Sequence, residues 1–269
     1  MLGSIVGDIV GSIYEFANIK TKDFEFFQPE MERTDDSILC IATADWLLHG
    51  GDVSHYYSRY ALEYPYPMGG YGGMFKAWSS KVARQGIHEP YNSCGNGSAM
   101  RIAPVGWAFE TEREVLEAAK VSASCTHNHP EGIKGAQATA LCIFLARQGH
   151  TASDIRARIE RDFGYDLSMS VKELQRRYSW QGIDGKGDGG ICQDSVPQAI
   201  ICALQAKDFE DAIRNAISIG GDSDTIGCIA GGIAEALYGI PEPIKEQAWT
   251  YLDETECCTV RSFIQKYSI

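Results

Sequence analysis

Basic residues are scarce in this chain. Twenty-four Lys and Arg stand against 36 Asp and Glu in 269 residues, a formal net charge of −12. That balance argues against a protein that tracks a nucleic-acid backbone by bulk charge, and it suits cation binding or plain solubility. Long apolar runs are missing too. The N-terminus has no basic lead, and Asp8 and Glu15 interrupt its apolar stretch, which speaks against a signal peptide or a membrane span. No Cys-x-x-Cys occurs among the nine cysteines. Their scatter and odd number read as reduced core thiols of a cytoplasmic protein. Alternating β-branched runs of strand length are absent, which argues against a sheet-based fold. No linker rich in Pro, Ser or charge divides the chain, so one domain over residues 1–269 is expected.

Several catalytic signatures are lacking as well. Without a Gly-x-Ser-x-Gly elbow, a Ser-His-Asp hydrolase is disfavoured. Neither a Walker loop ending in Gly-Lys-Ser/Thr nor a dinucleotide fingerprint is present, and no His-Glu-x-x-His or Cys/His quartet marks a zinc site. Cys125 stands beside His127, but it falls on the apolar face of its helix and reads as a packed thiol.

What the chain does have is helical periodicity. Leu2, Ile5, Val6, Ile9, Val10 and Ile13 predict an amphipathic helix over 2–17. Gly3, Gly7, Gly11 and Glu15 recur at every fourth position of it, a stripe where another backbone or a ligand can approach closely. Further helices are predicted over 37–48, 112–125, 132–147, 153–163, 195–204, 209–219, 225–238 and 243–252, with Pro197 placed in a first turn. The stretches 64–75, 91–98 and 179–190 read as long loops, which in a compact helical protein usually carry binding. The fold class is all-α.

Two acidic clusters stand out: Thr34-Asp35-Asp36-Ser37 and Asp222-Ser223-Asp224-Thr225, each opening an apolar helix. Singly, each reads as an N-cap. Both have two carboxylates and a Thr, and Gly220-Gly221 precedes the second. If the two starts meet, four carboxylates converge and need hard cations such as Mg²⁺ or Mn²⁺. Cys94-Gly95-Asn96-Gly97-Ser98 has the make-up of an anion-cradling turn, with glycines that expose backbone amides. Thr126-His127-Asn128-His129-Pro130 puts two histidines between helices, one suited to capping and His127 suited to contacting an anionic ligand.

Taken in order, Gly7-Asp8-Ile9-Val10-Gly11-Ser12-Ile13-Tyr14-Glu15, Thr34-Asp35-Asp36-Ser37, Gly95-Asn96-Gly97-Ser98-Ala99-Met100-Arg101, Thr126-His127 and Gly220-Gly221-Asp222-Ser223-Asp224-Thr225-Ile226 resemble the ADP-ribosylglycohydrolase family from end to end. The resemblance implies an orthogonal helical bundle with two Mg²⁺ (or Mn²⁺) ions at an ADP-ribose cleft. It implies Thr34, Asp35, Asp36, Asp222, Asp224 and Thr225 as metal ligands, and Glu15 with Asp35 and Asp36 as the catalytic carboxylates. By the same resemblance Ser93, Gly95, Asn96, Gly97 and His127 hold the substrate. The first motif resembles the serine-linked (O-glycoside) branch more than the arginine-linked one. Ser37 stands where Thr is common and keeps the hydroxyl; Cys94 stands where that branch often has an aromatic, which bears on the acceptor. The partner implied is an ADP-ribosylated protein, with ADP-ribose as product and a monomer as the expected assembly. The alternatives are an arginine-linked hydrolase, an ADP-ribose-binding module with weak turnover, and a metal-dependent phosphohydrolase.

Overall fold

The structure, a computed structural model, describes residues 1–269. It is all-α apart from one small hairpin, in which Tyr178–Ser179 pairs antiparallel with Gly182–Ile183. One cluster of 71 buried apolar residues runs through the bundle. No helix is long and apolar enough to cross a membrane.

Two helices lie at the centre. The N-terminal helix, Leu2–Gly11, is buried along its whole length, and the helix Ser223–Tyr238 is buried from Ser223 to Glu235. Each fully buried Ile, such as Ile5 or Ile9, contributes about 1.5–3 kcal/mol relative to exposure. The two helices cross with their backbones touching. A Cβ added at Gly7 would run into the carbonyl of Gly227, one at Gly227 would lie 2.5 Å from the carbonyl oxygen of Gly7, and one at Gly11 would lie 2.5 Å from Cα of Asp224. The glycine stripe is thus a backbone-to-backbone seam, and it leads directly to the second acidic cluster.

The first helix stops sooner than its periodicity predicts. It ends at Gly11 and passes into a 3₁₀ turn, Ser12–Tyr14. Ser12 donates its hydroxyl to the carbonyl of Ile9 at 2.8 Å, and Asn18 Nδ2 donates to the carbonyls of Tyr14 (2.6 Å) and Glu15 (3.1 Å). Side chains that bond the local backbone in this way compete with helix continuation.

The helices expected in the middle and end of the chain are present, with starts shifted by a few residues. The one predicted from Ser195 begins at Cys192, so Pro197 lies inside it. Proline there lacks the amide that would serve the carbonyl of Gln193, a partly exposed residue. Six helices were not predicted by periodicity: Val53–Glu63, Gly73–Gln85, Gly97–Met100, Ala103–Ala108, Val171–Arg177 and Glu254–Tyr267. Gly73–Gln85 takes the end of the expected loop 64–75, and the hairpin takes the start of 179–190.

Candidate active site

The first acidic cluster is held by local bonds and by one buried carboxylate. Thr34 is the N-cap of the helix Asp35–His49, and its hydroxyl accepts from the amide of Asp36 at 3.2 Å. Behind it lies Asp8, fully buried in the N-terminal helix. Asp8 accepts from the amide (3.0 Å) and hydroxyl (2.6 Å) of Thr34, and from the amide (3.0 Å) and hydroxyl of Ser37. Burial still pushes the Asp8 carboxyl above its usual range, against these four bonds. Its place in an otherwise apolar helix is the signal that marks it: a buried Asp needs donors, and the only rich supply is a helix start.

The second cluster has no side-chain cap. Gly220 and Gly221 approach it with φ of +69° and +80°, a conformation that suits glycine. Asn18 brackets Gly221, accepting from its amide at 2.8 Å and donating to its carbonyl at 2.8 Å. Asn96 donates through Nδ2 to Asp222 at 2.6 Å. The same Asn18 that ends the Glu15 turn therefore ties that turn to the second cluster.

Between the clusters lies a cavity of about 570 Å³, within the range of roughly 300–1,000 Å³ for small-molecule sites. Glu15, Asp35, Asp36, Asp222, Asp224 and Thr225 face it. Carboxylate oxygens of Glu15, Asp222 and Asp224 lie within 4.8 Å of one another. Burial, then the charges of Asp222 and Asp8, push the Glu15 carboxyl up to about 7. Asp35 and Asp36 are raised well above the usual carboxylate range by burial and then by Asp8 and its neighbours. Asp224 is raised well above the usual carboxylate range by burial and then by the charge of Asp222. Two buried carboxylate oxygens, Oδ2 of Asp36 and Oδ1 of Asp224, have no hydrogen-bond partner. Like charges packed with unpaired oxygens are unfavourable without a counter-charge, and an all-oxygen donor set fits a hard dication such as Mg²⁺ or Mn²⁺.

Ser93, Gly95, Asn96 and Gly97 line the same cavity, with His127. The expectation of free loop amides is not met at Gly95 and Asn96. The amide of Gly95 donates to Ser93 Oγ at 3.0 Å, that of Asn96 donates to the carbonyl of Gly190 at 3.0 Å, and the Asn96 side chain serves Asp222. The glycines have another role there. A Cβ at Gly97 would lie 3.1 Å from Nε2 of His127, and one at Gly95 would lie 3.5 Å from it, so the loop is thin because the imidazole lies against it.

His127 is buried and kept neutral, its pKa lowered well below the ordinary value by burial and by the charge of Arg101. Arg101 donates to Thr126 Oγ1 at 2.7 Å, and that hydroxyl lies 2.7 Å from His127 Nδ1. With Arg101 able only to donate, the Thr126 proton goes to Nδ1, which assigns the ring's own proton to Nε2. A neutral donor thus faces the Gly95–Gly97 loop. His129 serves differently, as the N-cap of the helix Pro130–Arg147, accepting from the amide of Glu131 at 3.2 Å.

Of the residues picked out from sequence, Glu15, Asp35, Asp36, Ser93, Gly95, Asn96, Gly97, His127, Asp222, Asp224 and Thr225 all meet at this cavity. Thr34 is fully buried behind Asp35, and its hydroxyl is taken up by Asp8 and the Asp36 amide. Sequence reasoning missed Asp8, Asn18, Arg101 and Trp180, whose indole donates to the Glu15 carbonyl at 2.9 Å. All four act on neighbours far along the chain, and only Asp8 and Arg101, charged residues in apolar surroundings, carry a local signal.

Comparison with known proteins places these features in a family. The family model for ADP-ribosylglycohydrolase matches residues 1–266. The chain is 29% identical to the human protein ADP-ribosylhydrolase ARH3, over 95% of this chain and 89% of that protein. It is 26% identical to ADP-ribosylarginine hydrolase Tri1 of Pseudomonas putida (strain GB-1), over 93% of this chain and 73% of that protein. A solved structure described as an ADP-ribosylglycohydrolase-related protein complex superposes with a TM-score of 0.69 at 23% identity, covering 100% of this chain and 97% of that one, a likeness of fold.

Proposed function

The chain belongs to the ADP-ribosylglycohydrolase family and is a glycohydrolase, and on that premise we propose that it releases ADP-ribose from an oxygen of a modified protein side chain, serine or threonine, with two hard dications at its acidic site. We read it as one catalytic domain over residues 1–269 acting as a monomer. The observation that carries the reading is the convergence of Glu15, Asp222 and Asp224, with Asp35 and Asp36 on the same cavity and two buried carboxylate oxygens left unpaired.

Asp35, Asp36, Asp222 and Asp224, with Thr225, are the residues that would hold the ions, while Thr34, expected as a ligand, supports them as the cap behind Asp35. When bound, a pair of hard dications supplies charge balance for these carboxylates and a Lewis-acid grip on vicinal hydroxyls of the ribose. The chain's own groups do the rest. Hydrolysis at an anomeric carbon passes through an oxocarbenium-like state, in which positive charge grows on the ring while the leaving oxygen needs a proton. The carboxylate wall supplies the negative field. Glu15, whose carboxyl is raised to about 7 in the cation-free site by burial and by the charges of Asp222 and Asp8, is placed to pass a proton to the leaving oxygen or to accept one from the attacking water. A serine alkoxide leaves poorly unless protonated, which favours an O-linked substrate. His127 presents a neutral donor at the cavity, suited to a ribose or phosphate oxygen, and Asn96 holds Asp222 in place. Tyr71, Phe75 and Tyr91 line the same cavity and offer faces for a nucleobase.

The relative named for arginine makes the N-linked substrate the second reading. A panel of serine-, threonine- and arginine-linked ADP-ribosyl peptides with Mg²⁺, Mn²⁺ or EDTA tests both. Release of intact ADP-ribose from the serine peptide, lost with EDTA, is the expected result. Release only from the arginine peptide overturns the linkage, and AMP as product overturns glycosidic cleavage. Glu15→Gln is expected to lower kcat by about 10²–10⁴ while ADP-ribose still binds. Turnover at the parent rate would remove Glu15 from proton transfer.

A further inference from the structure

A second cluster of ligand-type side chains lies apart from this cavity, where the helix Val53–Glu63 begins. His55 stands in the first turn of that helix, and His88 lies in the segment that follows the helix Gly73–Gln85. Their Nε2 atoms are 3.3 Å apart while the ring centroids are 4.7 Å apart, so the two nitrogen edges converge. Two nitrogens each about 2.0–2.1 Å from a tetrahedral Zn²⁺ sit about 3.3–3.4 Å from each other. The observed separation is that of a ligand pair.

The hydrogen bonding around His88 sets its free nitrogen. Asp52 Oδ1 accepts from the amide of Ser54 at 2.9 Å and from its hydroxyl at 2.8 Å. With its proton given to Asp52, Ser54 Oγ is an acceptor for His88 Nδ1, with which it is in contact. His88 therefore carries its proton on Nδ1 and turns a bare lone pair on Nε2 toward His55. A carboxylate orienting a ligating histidine through its other ring nitrogen is the usual support of a zinc site, here with one hydroxyl between. One carboxylate oxygen of Asp52 and one nitrogen of each histidine lie within 4.8 Å of one another. Asp52 and His55 are exposed and His88 is partly so, which leaves the place open to an ion and to water as the remaining ligands. Arg59, one helical turn on from His55, is paired with Asp45.

We propose that His55 and His88, oriented by Asp52 and Ser54, form a second metal site that takes a nitrogen-preferring dication, Zn²⁺ foremost, in contrast to the oxygen-only carboxylate site. The ion fastens the segment 86–92 to the start of the Val53–Glu63 helix. That segment contains Tyr91 and leads into Ser93, both of which line the main cavity, so the site steadies part of its lining from outside. The rival arrangement is a hydrogen bond between the two rings with no metal.

The test uses the full chain with Cys258→Ser, which removes the exposed thiol, in saturating Mg²⁺ to fill the carboxylate site. Zn²⁺ is titrated against a chromogenic chelator. The expected result is about one Zn²⁺ bound with micromolar affinity, lost in His55→Ala and in His88→Ala and weakened about 10–100-fold in Asp52→Asn. His55→Gln and His88→Gln serve as milder variants if an alanine variant does not fold. Hydrogen exchange in 86–92 is expected to slow on Zn²⁺ addition in the parent alone. Equal Zn²⁺ binding by parent and histidine variants, or no binding by the parent at micromolar Zn²⁺, overturns the proposal.

Discussion

Thr34–Ser37 and Asp222–Thr225 have nearly the same composition, yet they are held by different means. The first is a capped helix start whose cap is gripped by Asp8 through four donors. The second has no side-chain cap and is positioned by left-handed glycines, by Asn18 and Asn96, and by the seam that runs from Gly7 to Gly227. One cluster is fixed by hydrogen bonds to a buried charge, the other by backbone shape. Similar motifs can therefore fail in different ways, and the failures separate their roles.

The largest effect is expected where both halves depend on one contact. Gly7→Leu drives a side chain into the carbonyl of Gly227 and should cost more than about 4 kcal/mol, seen as loss of soluble protein or of the cooperative melt. A stable Gly7→Leu protein with both acidic clusters competent would show that the seam does not set their spacing. Next come two substitutions that divide the halves. Asp8→Ala leaves four buried donors without an acceptor and should cost about 2–4 kcal/mol in chemical denaturation. Gly221→Ala places a Cβ 2.6 Å from the Tyr178 ring at a φ of +80° and should cost about 1–3 kcal/mol. If Gly221→Ala proves the costlier, the contrast between charge-held and shape-held starts is reversed.

The effect of pH sharpens the comparison further. Glu15 is raised from 4.5 to about 7, and Asp36 and Asp224 are raised too. A carboxyl that binds its proton more tightly when folded contributes stability that is full below its unfolded value and is lost as pH rises through the folded one. In EDTA, Tm should thus fall between about pH 4.5 and about pH 7, the window set by Glu15. Mg²⁺ at a hundred times its Kd should restore about 2.7 kcal/mol at the upper end. A cation-free melt that does not change with pH would mean these carboxylates are not strained by one another. The smallest effect is expected from Asn96→Ala, which frees Asp222. Mn²⁺ affinity should weaken by about 10–100-fold with little change in Tm.

Much of this site can be read along the chain because its residues mark local geometry. Gly220-Gly221 before an acidic helix start announces a left-handed approach, and Thr34 before Asp35-Asp36 announces a cap. Their meeting cannot be read from either motif, since it depends on the crossing of two helices more than two hundred residues apart. The Gly3-Gly7-Gly11 spacing shows that something comes close; it does not show that Gly227 and Gly231 do. Helix recognition is weakest where burial is sparse. Glu254–Tyr267 begins with a legible Asp253–Glu256 capping box but fully buries only a few of its side chains, among them Val260 and Phe263. Gly73–Gln85 starts on a glycine pair that argues for a loop. The loop 94–98 misleads for a related reason, because its glycines make room for an imidazole that lies some thirty residues further along.

The seam between the two central helices has a consequence for how this protein can vary. Where two helices meet through side chains, any change of side-chain volume alters the distance between them, and whatever each one carries moves with it. Here the separation of Asp8 from Asp224 is set by main-chain atoms in contact, which have no volume to exchange. The Ile, Val and Ala around the seam can be repacked with little effect on that separation. The scaffold thus has a built-in gauge block: large parts of its interior are free to drift in sequence, and the few glycines that define the gauge are not.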